Sequence, residues 1–201
     1  MHSLLGLFLF SVLLKTGTSL ECEVCSGFGS SCTGVTQTCA AGQDTCATIL
    51  SENSLTGEKM ITSVKACEYS AACHVPPTHM TLGQGKSVRS SVTCCTGDAC
   101  GTAAPQFPPA MDKPNGKRCP ACYAFSFFPA SPVECGTETV ACVGVEDYCL
   151  DMVEAVTYGN YVMHIIMKGC VTKDVCDAKG FKSTSEGTDI HITKLKCSQA
   201  S

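Results

Sequence analysis

The sequence predicts an all-β, disulfide-rich protein built as two tandem copies of one small module. Three observations predict it. The cysteines repeat their spacing. The chain between them alternates apolar and polar residues with a period of two, and no segment carries a helical period with caps. Cysteine makes up 18 of 201 residues, the composition of a disulfide scaffold from an oxidising compartment.

The chain opens MHSLLGLFLFSVLLKTGTSLECEVC. Leu4 to Leu14 is apolar, and Gly17 and Ser19 stand where a cleavage site needs small residues. Residues 1–19 are therefore expected to be a secretory signal peptide. The run is shorter than the ~20 residues a bilayer span requires. The tail KLKCSQAS is polar and carries no GPI signal. No membrane anchor is expected, and the product is expected to be secreted and extracellular. The formal net charge is −4 and no basic patch recurs, which argues against a nucleic-acid partner. No Asn-x-Ser/Thr sequon occurs, so no N-linked glycan is expected.

From Cys22 the cysteine steps are 3, 7, 7, 7, 21, 6, 21, 1 and 5, ending at Cys100. From Cys119 they are 3, 13, 7, 7, 21, 6 and 21, ending at Cys197. Only the second step differs over the shared length, so the chain holds two copies of one unit. The expected boundaries are residues 20–100 for the first module and 119–201 for the second. Residues 101–118, GTAAPQFPPAMDKPNGKR, hold four prolines and read as a semi-extended linker. In the first module KMITSVK, 59–65, alternates after the turn LTGE. In the second, YVMHIIMK, 161–168, follows TYGN, a hairpin signal, and DIHITKLKC, 189–197, alternates with period two. Modules of about 80 residues bury too little to stand without staples.

The Cys-x-x-Cys starts, the Cys94-Cys95 pair and the closing Cys100 resemble the three-finger fold of the urokinase-receptor and lymphocyte-antigen family. That resemblance implies Cys22–Cys46, Cys25–Cys32, Cys39–Cys67, Cys73–Cys94 and Cys95–Cys100 in the first module. In the second it implies Cys119–Cys149, Cys122–Cys135, Cys142–Cys170 and Cys176–Cys197. Spacing alone cannot choose these pairs, because even eight cysteines allow 105 connectivities. Two features depart from the wider family. Gly101 follows the last cysteine of the first module where Asn is usual, and the second module ends at Cys197 without the final pair. These departures, with LECEVC, CCTGDAC, the Pro-rich linker and NGKRCPAC, resemble the gamma-type phospholipase A2 inhibitors of reptile serum. The missing sequon is similar to that family's non-glycosylated second subunit.

Other chemistry finds little support. The Cys-x-x-Cys pairs at Cys22–Cys25 and Cys119–Cys122 suit zinc only in a reducing compartment with further ligands, and no βαβ pattern supports a redox pair. His74, His79, His164 and His191 read as surface or partly covered histidines, because bases and ligands come in constellations. No G-x-S-x-G, Walker or dinucleotide spacing occurs. No catalytic residue, cofactor or metal is expected.

A binding surface remains. The mature first module has two aromatics, Phe28 and Tyr69, against eight in the second. Four of those eight lie in YAFSFFPASPVE, the lengthened first finger. The hairpin YVMHIIMK is apolar on both faces, which marks either a partner surface or the contact between the modules. Candidate binding residues are Phe125, Phe127, Phe128, Tyr161, Met163 and Ile165. The resemblance adds Phe107, Pro108 and Pro109 of the linker. It implies a blood-plasma protein that binds and blocks secreted phospholipase A2, in a homo- or hetero-oligomer with related inhibitor subunits, often a trimer. An apolar, aromatic-rich finger surface fits a mechanism that covers the enzyme's lipid-facing rim. A secreted signalling protein of pheromone-like type is the alternative, since fold does not fix function.

Overall fold

The computed structural model describes residues 19–96, 100, 106–107, 110–126, 135–177, 182–185 and 188–201. The first module contains β1 (Glu21–Phe28), β2 (Val35–Thr38), β3 (Thr45–Asn53), β4 (Met60–Glu68), a 3-10 turn at Ser70–His74, β5 (Thr78–Gly83) and β6 (Lys86–Cys95). The second contains β7 (Pro114–Pro120), β8 (Cys122–Ser126), β9 (Thr139–Val143), β10 (Tyr148–Tyr158) and β11 (Tyr161–Val171). The helix α1 (Lys173–Asp177), β12 (Lys182–Ser185) and β13 (Thr188–Gln199) complete it. The five residues of α1 are too few to display a period, so nothing in the pattern announces it.

Successive antiparallel hairpins spring from two clusters of cystine. Within the first module disulfides join Cys22–Cys46, Cys25–Cys32, Cys39–Cys67, Cys73–Cys94 and Cys95–Cys100. Within the second they join Cys119–Cys149, Cys122–Cys135, Cys142–Cys170 and Cys176–Cys197. Cys22, Cys39 and Cys46 are buried together, as are Cys119, Cys142 and Cys170 with Ala200. A closed loop like that of Cys22 and Cys46, 24 apart in sequence, is worth about 3.5 kcal/mol in the chain-entropy account.

Residues Pro114 to Arg118 are not linker. They form the start of β7, which pairs with β9 from Pro114 opposite Val143 to Pro120 opposite Thr139. Pro, Asn and Gly there read as a turn, yet β7 belongs to a two-stranded sheet, where proline at a strand end is tolerated. Asn115 Nδ2 donates to the carbonyls of Gly144 and Glu146, holding the irregular register. The Arg118 backbone N–H bonds the carbonyl of Ser201, which ties the strand to the C-terminus.

The sheet does not stop at the module boundary. Its order runs β12-β13-β10-β11-β5-β6-β3-β4-β1-β2, with β8 also on β11. One edge of β11 serves two neighbours in turn. β8 covers His164 to Lys168, and β5 of the first module takes over at Cys170 and Val171, opposite Thr81 and Met80. The main hydrophobic cluster sits at this seam. Leu82 from β5 is buried with Leu150, Met152, Met167 and Val171, and Met80 and Leu55 pack against them.

Gly169 permits the approach. A Cβ there would overlap the carbonyl of Thr81 and lie 2.9 Å from the Leu82 Cα. Overlap with backbone cannot be relieved by a rotamer change. Gly169→Ala should therefore cost roughly 2–3 kcal/mol. Thermal unfolding of the purified protein, read by circular dichroism, checks this. An unchanged midpoint would mean that β5 does not hold this position.

Candidate interaction surface

The hairpin β10–β11 brings several candidate residues onto one face. Tyr161 lies opposite Tyr158, Met163 opposite Val156 and Ile165 opposite Glu154. Across the other edge of β11, Phe125 lies opposite Ile165 and Tyr123 opposite Met167. On β13, Ile192 lies opposite Glu154 and Ile190 opposite Val156. The face runs from a buried base to an open tip. Met167 is buried against the seam cluster, whereas Phe125 is 58 %, Tyr158 65 % and Tyr161 77 % exposed. Contact between the modules therefore accounts for the base of the apolar hairpin and not for its tip. Pro108, Pro109, Phe127 and Phe128 lie outside the described residues.

The opposite face of the hairpin is more polar and carries Val153, Val162 and Ile166 among charged neighbours. Asp151 accepts from Lys194 at 2.7 Å, with Lys168 at 4.0 Å from the same oxygen. His164 and His191 both stand opposite Ala155 on this side.

Phe107 has a place inside the molecule. Its ring lies on the Arg89 guanidinium at 4.4 Å. Arg89 bonds Glu52 with Nε at 3.2 Å and Nη2 at 2.9 Å. Two residues along β6, Ser91 Oγ donates to the carbonyl of Gln106. Gln106 and Phe107 thus lie over the face of β3–β6 that buries Leu50, Ser63 and Ser91. Hydrogen bonds from Arg89 hold the Glu52 carboxyl below its usual range, against the opposing effect of burial.

The residue that sequence reasoning missed is Glu146, which is 0 % exposed. Its Oε1 accepts from His79 Nδ1 at 2.6 Å and Thr81 Oγ1 at 2.7 Å, both in the first module. Its Oε2 accepts from the Val143 N–H at 2.9 Å. His79 is therefore a junction residue, and with a carboxylate as acceptor its Nδ1 carries the proton. His74, in contrast, bonds the nearby Ser70 carbonyl within its own turn. The repeat contains the missed signal. Gln43 stands at the same distance before Cys46 as Glu146 does before Cys149. Gln43 closes the same turn, taking the Ala40 N–H at 2.9 Å. Where the first module has a neutral amide, the second has an acid turned toward its neighbour.

Among the described residues no hydroxyl bonds the His79 imidazole, and Thr81 Oγ1 donates to Glu146 instead, so these three do not form a nucleophile-base pair. The sulfurs of Cys22, Cys39 and Cys67, and of Cys119, Cys142 and Cys170, come within 4.8 Å of one another. Each belongs to a disulfide, so these clusters are cystine cores and hold no thiolate for a metal.

Two clusters of buried cystine from which antiparallel hairpins extend define a tandem three-finger protein. Residues 20–102 match the phospholipase A2 inhibitor family, and residues 115–201 match the u-PAR/Ly-6 domain. Phospholipase A2 inhibitor NAI of Notechis ater is 34% identical over 100% of this chain and 97% of its own. The phospholipase A2 inhibitor 25 kDa subunit of Naja kaouthia is 35% identical over 78% of this chain and 82% of its own. A phospholipase A2 inhibitor gamma subunit of Gloydius brevicaudus siniticus is 33% identical over 84% of each chain. The chain belongs to the phospholipase A2 inhibitor family.

The buried acid and the Arg89 pair each set a measurable stability effect. Glu146→Gln should keep the turn-closing bond, as Gln43 does, while leaving His79 and Thr81 without a full set of acceptors. The expected loss is about 1–3 kcal/mol of unfolding free energy, measured by denaturant titration against wild type. Glu52 titrates lower folded than unfolded, so its contribution is complete above the unfolded value, about 4.3. It disappears as pH falls from there through the folded value. The melting temperature should accordingly fall below about pH 4.3 in wild type and fall less steeply there in Glu52→Gln.

Proposed function

We propose that this chain is a secreted inhibitor of secreted phospholipase A2, without catalytic activity of its own. It covers the enzyme's lipid-facing entrance with the tip of its second-module fingers. The observation that carries the reading is the exposed apolar tip of Phe125, Tyr158 and Tyr161, continuous with Met163 and Ile165. Aromatic and methionine side chains of this kind supply the cores of protein interfaces. The relatives' names supply the partner class. Residues 1–19 are the cleaved leader, residues 20–100 and 114–201 the two fingered domains, the second starting with β7, and blood plasma the compartment of action. Subunit names among the relatives support assembly with related chains, and a trimer is the assembly proposed.

The test is a titration of the mature protein into a secreted phospholipase A2, with activity read on micelles and on a soluble monomeric substrate. Inhibition on micelles is expected. Loss on both substrates places the block at the active-site entrance, and loss on micelles alone places it at the interfacial rim. No binding and no inhibition, by the chain alone or mixed with related subunits, would overturn the reading in favour of a signalling role. Tyr158→Ala/Tyr161→Ala should weaken inhibition about tenfold or more and leave the melting temperature unchanged, because both rings are exposed.

A further inference from the structure

One charged group interrupts the apolar face. Glu154 lies in mid-strand, directly opposite Ile165 on one side and Ile192 on the other. Its nearest same-face neighbours along β10 are Met152 and Val156. The carboxyl is half-buried, and among the described residues it has no hydrogen bond and no ion pair. Burial pushes its titration up. The strands packed beside it present mostly hydrocarbon. β11 offers Met163, Ile165 and Met167, and β13 offers Ile190, Ile192 and Leu195. From β8 comes the Tyr123 phenol, itself pushed up by burial and then by the Glu154 charge. Lys86 of the first module stands 5.5 Å over the Tyr123 ring and donates a hydrogen bond to the Leu55 carbonyl. The charged strand residues Asp151, Lys168 and Lys194 pair on the opposite face.

A carboxylate set among isoleucine and methionine without a donor costs free energy in the unbound protein. Replacing it by leucine would make a better apolar sheet. Its chemistry suits a cation that arrives from outside, shielded from water by the surrounding apolar rim. We propose that Glu154 is the charge anchor of this face, pairing with a lysine or arginine that stands among apolar side chains on the bound phospholipase. This deepens the inhibitor reading and rests on it. The apolar rim gives affinity for many surfaces. The acid selects those presenting a basic group at one point, because a neutral or acidic surface leaves it buried and unpaired.

The experiment compares wild type, Glu154→Gln and Glu154→Lys binding an immobilised secreted phospholipase A2 that wild type inhibits, between pH 5 and 8. Glu154→Gln should weaken binding by at least about tenfold at pH 7, and Glu154→Lys should weaken it more. Glu154→Gln should not lower the melting temperature, since Glu154 has no internal partner to lose among the described residues. Pairing with a cation lowers the acid's titration in the complex relative to the free chain. Wild-type affinity should therefore fall as pH drops through the free value, and Glu154→Gln should lack that fall. If wild type binds and Glu154→Gln binds equally well with the same pH profile, the anchor is wrong and the inhibitor reading stands. If wild type neither binds nor inhibits any secreted phospholipase tested, the inhibitor reading fails and the anchor fails with it. If the variants change self-association by light scattering and leave enzyme affinity intact, the face belongs to a second copy of the chain, and the proposal is overturned.

Discussion

All nine bridges close within a module, and none spans residues 101–118. Covalent chemistry therefore holds each set of fingers together at its root and says nothing about how the two sets meet. At the root the chain needs no large apolar core, because sulfur fills it: Cys119, Cys142 and Cys170 occupy the space that leucines take elsewhere. Away from the root, the hairpins are thin and depend on whatever lies against them. The relation of the modules, and the shape of any surface formed along both, thus falls to non-covalent contacts.

Those contacts are concentrated at one strand. β5 extends the sheet by pairing with β11, and the side chains it brings, Met80 and Leu82, complete a cluster otherwise made largely by the second module. Two kinds of constraint coincide there. Gly169 sets how close the backbones come, and the buried Glu146 takes donors from His79 and Thr81 of the first module in addition to its own turn. Apolar burial rewards many approximate arrangements, whereas an acid with no exposure accepts very few. The seam is consequently specific in register as well as adhesive. The two modules also lose their equivalence. The third finger of the first becomes cover for the second finger of its neighbour, which leaves the tip of that second finger outward.

The repeat was legible because cysteine spacing is insensitive to the intervening sequence, and the strands around 59–65, 161–168 and 189–197 were legible because each alternates over a full hairpin arm. The pairing of cysteines was not legible from spacing and entered through the family resemblance. The strand at Pro114–Pro120 was hidden by Pro, Asn and Gly, residues that mark turns in most settings and are tolerated in a two-stranded ribbon. The apolar hairpin announced a contact without saying which, and the answer divides along its length: Met167 inward, Tyr161 outward. Phe107 was readable as a ring near a proline run. Its position over Arg89 depends on Glu52, on a strand far earlier in the chain, which no local pattern connects to it.

Two glutamates of the second module show why residue type alone cannot reveal a site. Glu146 and Glu154 are eight residues apart; Glu146 is fully buried and Glu154 half-buried. Glu146 meets a hydroxyl, an imidazole and a backbone N–H, so its burial is compensated and it fastens the seam. Glu154 meets isoleucines, and the polar group it faces is a phenol that its charge disfavours ionising. The difference is the number of donors within reach, a property of the fold that is absent from the local sequence. An acid with all its donors contributes to stability, while an acid without them is a cost that folding alone does not offset. Because native stability is marginal, on the order of 5–15 kcal/mol, such a cost is tolerable only if it is modest in the free chain and repaid in a complex. That argument assigns the satisfied acid to structure and the unsatisfied one to recognition.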